Sequence, residues 1–152
     1  KAFAIGRPAM SLHGTYDDQN IFAKILRGEA PCVKVYEDEH VLSFMDIFPQ
    51  SKGHTLVIPK EAARNLLEIS DAGAAEAIKR VKKVAKAVET ALKPDGVTIA
   101  QFNGAPAGQT VYHIHFHIIP RWEGQDIAGH GSAGQADMDE LNALCEKIKA
   151  AL

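Results

Sequence analysis

Val111-Tyr112-His113-Ile114-His115-Phe116-His117-Ile118-Ile119-Pro120 is the stretch on which the rest of the chain turns. Branched and aromatic residues alternate with histidines, which is the pattern of a β-strand, and Pro120 is expected to end it. In a strand, side chains two apart share a face. His113, His115 and His117 therefore line one face, each roughly 6.5–7 Å from the next. Tyr112, Ile114, Phe116 and Ile118 point the other way, toward a core. Three imidazoles in a row pack poorly, so that face calls for imidazole chemistry.

Three chemistries fit the histidines alone: solvated or metal-scavenging side chains, a His-x-His pair presented to zinc, and nucleophilic or acid–base catalysis near neutral pH. The preceding residues help to choose. Asn103-Gly104-Ala105-Pro106-Ala107-Gly108-Gln109-Thr110 is a loop of small residues leading straight into the histidines. Small residues let a ligand approach the backbone, and N–H groups in such a turn can hold an anion. Gln109 and Thr110 add neutral donors. A metal site would call for carboxylates or thiolates, and this loop has none; a phosphate site suits it.

The chain has 152 residues, 46% apolar and 24% charged, with a net charge of −2. That length suits one domain with a real core. The charge argues against non-specific binding to nucleic acid or a membrane surface, and no apolar run approaches a spanning length. Cys32 and Cys145 lie far apart with no metal or redox spacing, which suits a reducing cytoplasm. Lys1 to Gly14 carries no clean period and is set apart as tag-like or disordered sequence, with Met10 a candidate native start. It does not resemble a signal peptide, because no continuous apolar core follows Lys1. Residues 15–152 are expected to form the single domain.

In chain order, Asp17-Asp18-Gln19-Asn20 opens a short helix from Ile21 to about Gly28, with Ile21, Phe22, Ile25 and Leu26 as its apolar stripe. Val33–Tyr36 and Val41–Asp46 read as a hairpin, with His40 solvated in its turn. Asp46 closes the second strand, where a lone carboxylate is usually a turn former. Pro49–Gly53 is a loop, and His54–Pro59 a strand. The long helix is expected from Ser70 to Lys93, with Ile78, Val81, Val84, Ala85, Val88 and Leu92 inward and a solvated lysine-rich face outward. Val97–Phe102 is the next strand. Trp122 to Gly134 reads as loop, with His130 exposed within it. Met138, Leu141, Leu144, Cys145 and Ile148 form a closing helix that buries the Cys145 thiol. This order of elements predicts an α+β fold with a mainly antiparallel sheet.

Ala107-Gly108-Gln109-Thr110-Val111-Tyr112-His113-Ile114-His115-Phe116-His117-Ile118-Ile119 resembles the signature of the histidine-triad (HIT) superfamily of nucleotide hydrolases and transferases. The likeness extends over about Ile21 to Arg121. It implies a five-stranded, mainly antiparallel sheet with helices packed on it, one long and one C-terminal, and a homodimer. It implies a purine nucleotide substrate, no cofactor and no metal. His115 would attack the α-phosphorus and form a nucleotidyl-histidine that water hydrolyses, the His113 carbonyl fixing its tautomer. His117 would stabilise transition-state charge, with His113 and His54 in support. Asp46 would hold the ribose hydroxyls, as a carboxylate can for a vicinal pair. Phe22, Ile25, Phe44 and Ile47 would wall the base. Gln109, Thr110 and Asn103 would meet phosphate or leaving group. Some bacterial relatives carry a structural zinc on two cysteines near the first helix; here those positions are Asn20 and Ala23, so that zinc is expected to be absent.

Two branches compete. Ile21–Ile25, Asp46–Gln50 and Val111-Tyr112 resemble the branch that cleaves nucleoside phosphoramidates. Gly53-His54, Ala107–Thr110 and Pro120-Arg121 resemble the branch that cleaves dinucleoside polyphosphates. His117 argues against the uridylyltransferase branch, which replaces the last histidine. A nucleotide-binding scaffold with little catalysis and a zinc protein using His113 and His115 are the readings from other classes.

Overall fold

The computed structural model describes residues 12–126 and 134–152. The readings of Met10 and His130, and of the first eleven residues, fall outside the described part. The elements run α1 (Ile21–Leu26), β1 (Lys34–Glu37), β2 (Val41–Met45), β3 (Thr55–Pro59), α2 (Asp71–Leu92), β4 (Gly96–Ala100), a 3-10 turn (Ala105–Ala107), β5 (Phe116–Arg121) and α3 (Met138–Ala150). The five strands form one sheet in the order β1-β2-β3-β5-β4, and every neighbouring pair is antiparallel. This is the α+β architecture expected from the sequence.

Alternation sorts the sheet into two faces. Val41, Met45, Val57, Phe116 and Ile118 face α2 and α3 and join Val81, Val84, Val88, Leu141, Cys145 and Ile148 in the main core. Leu42, Phe44, Leu56 and Ile58 face the other way and pack with Phe22 of α1. Asp46 and His54, one residue beyond β2 and one before β3, continue this second face, and so does His117 of β5. The register places Phe44 opposite Leu56 and Leu56 opposite His117.

The caps explain the helix boundaries. The Asn20 side chain accepts the Ala23 N–H at 2.9 Å and starts α1. The Ser70 hydroxyl accepts the Gly73 N–H at 2.9 Å, and Lys93 closes α2 in the left-handed region at φ 51°. An N-cap oxygen satisfies one of the free N–H groups of the first turn.

Four expectations are corrected. The histidine stretch enters the sheet only at Phe116. Its partner β3 pairs with it over Thr55–Val57 and stops, because Pro59 has no N–H to give and its carbonyl is taken by the His113 ring. Pro120 does not end the run: it lies within β5 opposite Val97. β3 no longer flanks the strand there, so the missing donor is tolerated. Tyr112 is half-buried rather than a core residue, with the Arg64 guanidinium 5.0 Å from its ring centre. On α2, Ala77 and Ala87 join Val81, Val84 and Val88 inside, whereas Ile78 is 51% exposed. Ile78 and Ala85 instead border a shallow groove with Val97 and Ile99 of β4.

Candidate active site

The second face of the sheet is only partly covered, because α1 has six residues. A cavity of about 360 Å3 opens there, walled by Phe22, Ile25, Phe44 and Ile47 and floored by Asp46, His115 and His117. Ile21, Phe48 and Val111 complete its apolar rim, and Thr110 stands at its edge. A larger hollow of about 640 Å3 lies between the 49–53 loop, Trp122 and α3, but it holds no histidine and the Lys52–Glu140 ion pair crosses beside it.

Hydrogen bonds assign the state of each imidazole. A carbonyl can only accept and a backbone N–H can only donate. His115 Nδ1 lies 2.7 Å from the carbonyl of His113 and therefore carries its proton there. In the neutral ring the lone pair then sits on Nε2. The ring is held in place by Phe22, edge-on at 4.8 Å between centroids, and by His117 at 5.0 Å.

His54 is fully buried, and its Nδ1 accepts the Gln50 N–H at 3.0 Å. Its proton is therefore on Nε2, which donates to His117 Nδ1 at 2.9 Å and lies 3.4 Å from Asp46 Oδ2. His117, accepting at Nδ1, carries its own proton on Nε2 in the neutral form. The pair thus presents one hydrogen-bond donor and the neighbouring His115 one nucleophilic nitrogen.

His113 stands apart from the cavity. Its Nε2 donates to the Pro59 carbonyl at 2.7 Å, and its Nδ1 lies 2.6 Å from the Tyr16 hydroxyl. Burial pushes its pKa below the ordinary histidine value, partly offset by the bond to Pro59. A reading in which His113 and His115 jointly ligate zinc does not survive this geometry, since both His113 nitrogens and Nδ1 of His115 face protein partners. Asp46, His54 and His117 do bring three ligand-type atoms within 4.8 Å of one another. A cation on His54 Nε2 would drive that ring's proton to Nδ1, against the Gln50 N–H. Two donors would then face each other, so the trio suits a proton better than a metal.

Phe22, Ile25, Phe44, Ile47, Asp46 and Thr110 are thus brought together around His115 and His117. Asp46 also forms a turn, since its Oδ1 accepts the Phe48 N–H at 2.8 Å. Gln109 and Asn103 are not brought to the cavity. The Gln109 amide accepts from Gly104 N at 2.7 Å and donates to the carbonyls of Arg64 and Val111 at 2.6 and 3.0 Å, so it braces the loop from behind. Asn103 is paired with the Gln101 amide and accepts the Leu66 N–H. The neighbour of His117 on that side is instead Phe102, at 5.4 Å between centroids.

Tyr16, Phe48, Phe102 and the Gln50 N–H were not singled out from the sequence. A two-residue step from Asp46 signals Phe48; nothing local signals Tyr16, which lies 97 residues from its partner.

Known proteins resemble this chain in sequence and in fold. A family model described as HIT domain matches residues 27–124. An adenosine 5′-monophosphoramidase of Schizosaccharomyces pombe is 44% identical over 131 residues, 86% of this chain and 96% of the relative. An adenylylsulfatase of Arabidopsis thaliana is 40% identical over 109 residues, 72% of this chain and 55% of the relative. Among solved structures, a Hit-like protein from Bartonella henselae, described as involved in cell-cycle regulation and bound to an unknown ligand, has 50% identity and a TM-score of 0.85. It covers 91% of this chain and 100% of its own.

Proposed function

The chain belongs to the histidine-triad (HIT) family, and on that premise we propose that it hydrolyses purine nucleotides at the α-phosphate, with AMP linked to an amine as the preferred substrate class. His115 Nε2 attacks phosphorus, the phosphorus–nitrogen bond breaks, and the amine leaves with a proton taken from solvent, which the water of the second step gives back. Water then cleaves the nucleotidyl-histidine and restores the neutral ring. A covalent intermediate divides one hard displacement into two easier ones. The His117 Nε2–H is placed to stabilise phosphate oxygens as charge develops. Asp46 holds the ribose, and Phe22, Ile25, Phe44 and Ile47 hold the base by packing. No cofactor or metal is required by these steps.

The observation that carries this reading is the fixed tautomer of His115: its Nδ1–H is tied to the main chain at 2.7 Å, in a ring that lines the cavity. The names of the relatives from S. pombe and A. thaliana support nucleotide hydrolysis in general. A second reading, cleavage of dinucleoside polyphosphates, has weaker support. Its leaving group is a polyanion, and among the described residues no lysine or arginine lines the cavity, while Asp46 adds negative charge. A binding scaffold with little catalysis leaves the tautomer arrangement without a purpose.

Hydrolysis of adenosine 5′-phosphoramidate and of diadenosine polyphosphates should be measured side by side, with His115→Ala as control. The phosphoramidate is expected to be favoured, and the variant to lose at least about 10³-fold in kcat. Equal, residual rates in parent and variant would remove His115 as nucleophile.

We propose that the working form is a homodimer in the cytoplasm. The two sheet edges differ: β1 carries Lys34 and Glu37, paired with each other and with Lys60. These hold the Glu37 carboxyl down at about 2. β4 carries no charge, and its Ile99 is 44% exposed beside Ile78 of α2. An uncharged, apolar edge invites a second strand, whereas a charged one resists it. Cys32 and Cys145 are free thiols, and among the described residues no helix is long and apolar enough to cross a membrane.

A further inference from the structure

Tyr16 lies outside the cavity, before α1, in a part of the chain that no motif marked. It is half-buried, and its hydroxyl is 2.6 Å from His113 Nδ1, with the two rings edge-on at 5.7 Å. The direction of this bond is fixed from the far side of the ring. The Pro59 carbonyl at 2.7 Å obliges His113 to carry its proton on Nε2, so in the neutral ring Nδ1 is an acceptor and Tyr16 must donate. A chain of donors results: Tyr16 O–H to His113 Nδ1, His113 Nε2–H to Pro59, and His115 Nδ1–H to the His113 carbonyl.

We propose that Tyr16 is a positioning residue for the nucleophile: by holding the His113 ring neutral and fixed at both nitrogens, it aims the His113 carbonyl that sets the tautomer of His115. The inference rests on the reading of His115 as nucleophile. A buried acceptor without a donor is costly, so loss of the hydroxyl releases the ring to rotate or to take a proton. A cationic His113 would sit directly behind His115 and draw electron density from it.

The groups around His113 are few. From the segment before α1 comes Tyr16 itself, whose hydroxyl is also bonded by the Asn20 side chain at the start of α1 and feels Arg27 at its end and Asp18 and Asp17 further out. From the turn after β3 comes Arg64, whose guanidinium lies over Tyr112 and donates to the Thr15 carbonyl. From β3 comes the Pro59 carbonyl, and from the segment that leads into β5 comes His115. Burial raises the Tyr16 hydroxyl above its ordinary value, so it remains a protonated donor through the working range. The same segment ends in α1, whose Phe22 packs on His115; residues 16–22 therefore touch two histidines of the triad.

The test compares parent and Tyr16→Phe on adenosine 5′-phosphoramidate, with histidine 15N spectra of both across pH. In the variant, kcat should fall about tenfold with KM within about twofold, and the acid limb of the kcat profile should move to higher pH. The His113 Nδ1 signal should shift toward the protonated position in the variant, while in the parent it stays that of an unprotonated, hydrogen-bonded nitrogen. Superposable kinetics and spectra, or a rise in KM alone, would overturn the proposal. A parent spectrum with Nδ1 of His113 protonated at neutral pH would overturn it without any variant. If the parent is inert toward nucleotides, the hydrolase reading fails, and unchanged His113 signals in Tyr16→Phe still decide against Tyr16 separately.

Discussion

The two faces of the sheet are built from the same five strands and end in opposite conditions. On one, α2 with 22 residues and α3 with 13 cover the central strands and leave the β4 edge open at Ile99. Every inward residue there is apolar or small, from Val41 to Ile148. On the other, α1 supplies six residues and one buried phenylalanine, and the row beyond it is polar: Asp46, His54, His115, His117. Apolar burial near 25 cal/mol per Å2 accounts for why the first face closes. The second stays open because imidazoles and a carboxylate must keep hydrogen-bond partners when buried, and here they find them in one another and in Gln50. The site is therefore what remains where helix coverage runs out.

Neighbours on β5 allow the contrast to be broken most directly. His117 faces the cavity and Ile118 the helix-covered core, one residue apart. His117→Ala is expected to lower kcat by about 10²–10³-fold with only a modest loss of stability, because the His54 Nε2–H that it frees still has Asp46 Oδ2 at 3.4 Å. Ile118→Ala should do the reverse, costing roughly 2–5 kcal/mol of stability with kcat preserved where the protein is folded. Denaturant titration and steady-state kinetics on both variants check the pair. If His117→Ala unfolds the protein, the open face is part of the fold's support and the division drawn above is wrong.

Much of this division can be read from residue order. The alternation of Ile114 to Ile118 marks two faces, Ser70 and Lys93 bound the long helix, and the family resemblance points to Asp46 and His54 as members of one site, whereas His113 leaves the row to face Pro59 and Tyr16. What stays hidden depends on partners distant in the chain. β5 begins at Phe116 because Pro59, 57 positions earlier, has no N–H. Gln109 reads as a phosphate ligand, yet the turn at Gly104 and Gly108, at φ 85° and 102°, aims its amide into the loop. Ile78 satisfies helical periodicity and is exposed nonetheless, because alanines let α2 settle close to the sheet on the adjacent stripe. Nothing in Tyr16's neighbours announces a contact with His113.

A smaller effect sharpens the contrast from the covered side, where α2 is fastened to the β1–β2 turn by charge. Asp38 is partly buried, which would raise its carboxyl. Hydrogen bonds from Arg80 of α2, from the N–H groups of His40 and Val41 and from the Tyr36 hydroxyl outweigh that and hold it well below the usual range. A depressed carboxylate contributes stability that is full above its unfolded value and is lost as pH falls toward the folded one. Asp38→Asn should therefore lower stability by about 1–2 kcal/mol near neutral pH. The gap to the parent should be full at neutral pH and narrow as pH falls below about 4, where the unfolded chain's carboxyl takes up a proton while the folded one still does not. Thermal melts from pH 7 to pH 2 measure it, and a gap independent of pH would mean that Asp38 acts as a turn former alone.

The smallest effect concerns the groove between Ile78 and Ile99, at the β4 edge of the helix-covered face. Ile99→Lys puts on β4 the kind of charge that β1 already carries. A protein expected to elute as two copies should then elute as one, as read by light scattering. The monomer is expected to keep its fold, because Ile99 is 44% exposed and a surface substitution usually alters stability by no more than about 0.5 kcal/mol. A monomeric parent would remove the dimer proposal, and a variant that remains dimeric would show that the two copies meet elsewhere than at β4.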